Sequence, residues 1–232
     1  MKLRKLAAIG GIAGPVLFTA GWVVSSLRQT GVSAAGVQLS GLAADDARDP
    51  QIMMAAFVVL GACSAGFGAA LGQVGGRRWS AGAWLVVVAG TAAVAAGVFR
   101  RDHMLLTGPG FAGESWHNQV HDVASGVAYA AMLAALLVLG WCFRHDRDWV
   151  VVSRPVQALA LASALALAVF ATRAAGPWNP VVQRAAVTAA LTAEIVMAAR
   201  MMTLPPAPAG RPPGRPTGAR AGRPGRRLRC GW

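Results

Sequence analysis

The chain has 232 residues, 55% of them hydrophobic and only 13% charged, with a mean hydropathy of +0.49. A soluble domain carries about 25% charged residues, so this shortage excludes an ordinary water-soluble fold and points to a protein built into a bilayer. The net charge of +13 does not announce a nucleic-acid-binding domain, because many of the 22 Lys and Arg are tail arginines from Arg200 onward.

The chain opens with the short basic segment Met1–Lys5, and an apolar run over 6–27 follows. No small-x-small cleavage site closes it, and Trp22-Val23-Val24 carries it to spanning length, so it reads as a retained first span. Residues 28–50 are polar, end in Asp45-Asp46-Ala47-Arg48-Asp49-Pro50, and read as a solvated loop. The second span, 52–74, holds Gly61, Gly66, Gly68 and Gly72 at spacings that favour close helix packing. A basic turn at Arg77-Arg78-Trp79 follows, with Ser80 placed to cap the third span, 81–99. The next loop contains the turn signal Thr107-Gly108-Pro109-Gly110. The fourth span covers 117–143, and Arg144, Arg147 and Arg154 fall in the charged loop after it. The fifth and sixth cover 155–172 and 181–202. From 204 the chain alternates Pro, Gly and Arg and cannot bury a core. The expected fold class is all-α: an integral membrane six-helix bundle over 1–203 with a disordered basic tail over 204–232. Cys63, Cys142 and Cys230 show no CxxC spacing, which supports neither a disulfide framework nor a thiolate zinc site.

Six spans place both termini on one side, and the side that holds them carries most of the Lys and Arg. The positive-inside rule then predicts an inner (plasma) membrane protein with both termini cytoplasmic. Trp79, Trp84, Trp141 and Trp149 fall near the inner ends, and Trp116 and Trp178 near the outer ends, as an interfacial belt. The implied partner is the lipid bilayer. The tail arginines would each add about 1 kcal/mol of attraction to anionic inner-leaflet lipids, and no specific nucleic-acid contact is implied.

Chemistry concentrates between Phe99 and Ser125, on the predicted outer side. His117 and His121 are one turn apart on one helical face, and Ser125 continues it. Asp122 is rotated away by about 100°, and a hairpin brings Asp102 and His103 near. Zinc takes imidazole and carboxylate ligands, so His103, His117 and His121 are candidate metal ligands, with Asp102 or Asp122 as base or orienting group. The competing reading is a hydrogen-bonded polar cluster that anchors the helix end. Haem is disfavoured, because two imidazoles on one face of a helix cannot take opposite sides of one porphyrin. Glu194, deep in the sixth span, is a candidate binding residue, since an intramembrane carboxyl is costly unless paired or neutral.

Ser40-Gly41-Leu42 in the first loop, Phe99-x-x-Asp102 at the end of the third span and His117-x-x-x-His121 at the start of the fourth resemble the bacterial six-span proteins grouped as domain of unknown function 998. The likeness covers about Leu6 to Met202 and implies architecture without an established reaction. A weaker resemblance is to membrane hydrolases that hold zinc near one membrane face and cleave lipid amides; it would employ His117, His121, Asp102 and Ser40. Three roles follow as expectations. One is an outward His/Asp site, including Ser40 and Ser125, that binds a lipid or small ligand. Another is a zinc-dependent lipid hydrolase. The third is a proton- or ion-coupled transporter using Glu194.

Overall fold

The computed structural model describes residues 2–33, 35–105 and 115–204. The Arg-rich tail, the Thr107–Gly110 turn and Glu114 lie outside the described residues. Within them the chain forms α1 (Lys2–Arg28), α2 (Pro50–Gly75), α3 (Ser80–Val98), α4 (Trp116–Phe143), α5 (Val150–Ala171) and α6 (Asn179–Thr203). All six are long and apolar enough to cross a membrane, so the chain is a multi-pass membrane protein. Each helix packs on its neighbour in sequence, and α1 closes against α6. The result is a ring of six antiparallel spans. The ends of α1, α3 and α5 and the starts of α2, α4 and α6 share one face, called here the site face.

Small residues set the helix spacing. A Cβ built on Gly61 would lie 2.6 Å from the Val94 amide nitrogen, and one on Gly90 would lie 2.5 Å from that of Ala65. The α2 and α3 backbones therefore touch, which maximises dispersion contact where no hydrophobic force drives helix association. Below this contact Trp79, Phe143 and Trp149 form one aromatic cluster, with ring centroids 4.7–5.0 Å apart. It seals the face opposite the site.

Four expectations need correcting. Trp79 and Trp149 are 2% exposed, so they are core residues and not part of an interfacial belt; Trp84, Trp116, Trp141 and Trp178 remain exposed. The segment 28–50 is not simply solvated. Val37, Leu39, Leu42, Ala43 and Ala44 are buried, and the short 3-10 turn Ser40–Ala43 folds them onto the site face of the bundle. Ser80 does not cap α3, because its hydroxyl donates back to the Arg77 carbonyl at 3.1 Å. The fifth span starts at Val150, so Arg154 belongs to a helix, and Pro155 is taken up in its second turn. A proline there loses one backbone hydrogen bond, and packing of Ser153 and Val156 into the core holds the turn together.

Candidate functional site

The cap over the site face is built around Arg101, which follows the end of α3 and is 5% exposed. Its carbonyl accepts the Asp45 amide at 3.0 Å. Its Nη1 donates to Ser40 Oγ at 3.1 Å, and its Nε lies 3.6 Å from Asp122 Oδ1 on α4. Asn118, one turn before Asp122, donates to Asp122 Oδ2 at 3.2 Å and accepts the Asp102 amide at 3.2 Å. One guanidinium thus joins the first loop, the second loop and α4. Its charge is balanced by a carboxylate that still reaches water.

Asp102 anchors the start of α4. Ser115, the N-cap, donates from its hydroxyl to Asp102 Oδ1 at 2.6 Å and from its amide to Oδ2 at 2.7 Å, and its Oγ accepts the Asn118 amide at 3.3 Å. The Ser115 hydroxyl bond, then its amide bond, holds the Asp102 carboxyl below the usual carboxylate range. A carboxyl depressed by folding stabilises the fold above its unfolded value of about 3.9 and loses that contribution as pH falls through its folded value. Ser115→Ala should cost about 1 kcal/mol of stability, as N-cap removals do. The stability gap between Asp102→Asn and the unmodified chain should close as pH is lowered below that range, as read by thermal unfolding in micelles; a gap that is constant down to strong acid would contradict the role of Asp102.

The three histidines diverge. His103 is exposed, 3.8 Å from Asp46 Oδ2. His117 is exposed, with Nδ1 3.0 Å from Ser115 Oγ and its ring on Trp116. His121 is fully buried. Its Nδ1 lies 2.8 Å from both the Ala96 and Phe99 carbonyls, so Nδ1 carries the proton and caps the last turn of α3. Nε2 of His121 is buried without a hydrogen-bond partner. Among the described residues no three His, Cys, Asp or Glu side chains are placed to hold a metal ion. His103, His117 and His121 therefore do not form a shared zinc site among the described residues.

Beneath the cap lies a cavity of about 70 Å³ lined from all six helices, including Phe18, Phe57, Ala93, Ser125, Tyr129, Ser163 and Leu191. It sits between two packed clusters, one around Phe18, Met53 and Phe57 and one around Phe67, Leu136 and Met197. The Ser125 hydroxyl is buried without a partner, one turn below His121. Gln183 ties cavity to cap. Its Nε2 donates to the Tyr129 hydroxyl at 3.3 Å, and its Oε1 accepts the Leu39 amide at 2.9 Å. Deeper, Ser64 Oγ donates to Glu194 Oε2 at 3.1 Å.

The family model described as "Protein of unknown function (DUF998)" matches residues 12–201. The chain belongs to the DUF998 family. No curated protein matches it, and no solved structure does. The matched stretch reaches into all six spans and includes the three loops of the site face and every residue that lines the cavity.

In this DUF998 chain the cap brings together Ser40, Asp102 and Asp122, through Arg101 and Asn118. It leaves His103 and His117 at the surface, and it places Ser125 and Glu194 at separate levels of the interior. Sequence reasoning missed Arg101, Asn118, Gln183 and Tyr129. Arg101 was detectable in principle: Asp122 has no basic residue three or four positions away on its own helix, so its counter-ion had to come from another segment.

Proposed function

We propose that the protein binds a small, mainly apolar ligand in the cavity between its six spans, with the Arg101-centred cap as a fixed roof. The observation that supports this is the cavity itself, to which every helix contributes and whose wall holds an unpartnered Ser125 hydroxyl. Its wall is apolar apart from the hydroxyls of Ser64, Ser125, Tyr129 and Ser163, which suits a mainly apolar ligand with a small polar part. The charge asymmetry supports a cap facing away from the cytoplasm, with the basic tail against anionic lipids of the inner leaflet.

Tyr129 is the sole tyrosine of the chain, so 3-fluorotyrosine labels the cavity wall at one position. In nanodiscs, propane, whose three carbons suit a cavity of about 70 Å³, should shift the Tyr129 fluorine resonance saturably. Ala93→Leu, which fills the cavity from α3, should remove the shift while changing stability by less than about 1 kcal/mol, because the added atoms enter existing space. A saturable shift that persists in Ala93→Leu, or no shift in the unmodified chain, refutes the reading.

A further inference from the structure

We propose that the ligand of this cavity is a small alkylammonium cation, its charge met by Glu194, which lies one turn beyond the lining residues of α6 and adjoins the cavity wall through Ser64. The inference rests on the cavity being a ligand site. On α6 the lining residues Ala186, Val187, Ala190 and Leu191 form a stripe, and Glu194 continues it one turn deeper. On α2 the lining residue Ser64 meets it from across the bundle. Glu194 is fully buried, and its Oε1 has no hydrogen-bond partner among the described residues. Among the described residues no Lys, Arg or His forms an ion pair with it; the titratable group beside it is the Cys63 thiol of α2.

A carboxylate in such surroundings costs several kcal/mol unless a cation sits against it. Without one the carboxyl keeps its proton. When a cation arrives, the carboxyl O–H bond breaks, the proton leaves to water and the carboxylate pairs with the ligand; no bond to the ligand forms. Apolar walls favour the hydrocarbon part of such a ligand, and the rings of Phe18, Phe57 and Tyr129 suit an alkylammonium head through cation–π attraction. An anionic ligand gains nothing from this carboxyl. A neutral one leaves the carboxyl as it was.

The test uses the full-length protein in nanodiscs of uncharged lipid, labelled at Tyr129. Ethylammonium stays charged below about pH 9, and propane is its neutral isostere; both match a space that three leucine carbons fill. The cation should shift the Tyr129 resonance and release about one proton, counted by calorimetry in buffers of different ionisation enthalpy. Its affinity should rise by up to about tenfold per pH unit while the carboxyl is protonated. Glu194→Gln should weaken the cation by roughly tenfold or more, abolish its pH dependence and still bind propane, which also shows that the variant folds. If Glu194→Gln does not fold, the proton count on the unmodified protein decides. Binding of propane without the cation overturns the charge assignment and leaves the cavity reading standing. Cation binding with no proton released, or undiminished in Glu194→Gln, overturns the role of Glu194. Failure of both probes overturns both readings.

Discussion

Gly61→Leu abolishes the native bundle. At this position α2 and α3 are in backbone contact, since a Cβ would already stand 2.6 Å from the Val94 nitrogen and 2.8 Å from its Cγ2. Neither a backbone amide nor a β-branched side chain can step aside, so the helices must separate along their length. The reciprocal contact at Gly90 then opens as well, and Gly90 lines the cavity. Overpacking a core by a methylene or two costs about 1–3 kcal/mol, and leucine against backbone exceeds that range. Even Gly61→Ala should cost about 2 kcal/mol. Gly66 is the control. A Cβ there meets nothing within 4 Å, and its residue is exposed on the same helix, so Gly66→Ala should be neutral or gain up to about 1 kcal/mol from helix propensity. Thermal unfolding and size-exclusion profiles in one detergent compare the variants directly. Equal melting temperatures for Gly61→Ala and Gly66→Ala would contradict the α2–α3 contact.

The second large effect is at Arg101. Arg101→Ala should lower stability by about 2 kcal/mol and loosen the first two loops of the site face. The guanidinium is 6% exposed and Asp122 is 42% exposed, so truncation removes a buried hydrogen-bonded cation but leaves an anion that water can reach. That places the cost below the 3–5 kcal/mol typical of a fully buried broken pair. Arg101→Lys keeps the charge and loses the fork that serves Ser40 and Asp122 together, so it should fall between the alanine variant and the native chain. Asp122→Asn, on the half-exposed side, should cost less than about 1 kcal/mol. The expected order of melting temperature is native, Asp122→Asn, Arg101→Lys, Arg101→Ala. Hydrogen exchange at 39–45 should rise in the alanine variant, because the Ser40 bond is lost. An Asp122→Asn effect larger than that of Arg101→Ala would put the weight of the cap on the wrong partner.

The Arg101 result also explains why the cap was illegible from residue spacing. His117 and His121 are four apart and occupy one helical stripe, but α3 ends at Val98 and presents its last carbonyls to His121 alone. The bond of Ser115 to Asp102 orients the first turn of α4 so that Asn118 faces inward and His117 faces out. Spacing sets angles on a helix; where the neighbouring helix stops decides which of those angles is covered. The same holds for Trp79 and Trp149, whose positions beside basic turns look interfacial until the two chain segments meet.

Six spans, their order and their approximate limits were readable in the chain, because a bilayer demands about 20 apolar residues per crossing and each run meets that demand locally. The packing role of Gly61 and Gly68 was readable from small residues along the second span, whereas Gly66, expected to pack in the same way, faces open space. The cap, the burial of Leu39 and Leu42, and a cavity lined from all six helices were not. They arise from segments far apart in sequence, such as Ser40 with Arg101 and Ser64 with Glu194. Such pairings depend on the ring closure of α1 against α6, a packing choice that no local periodicity encodes.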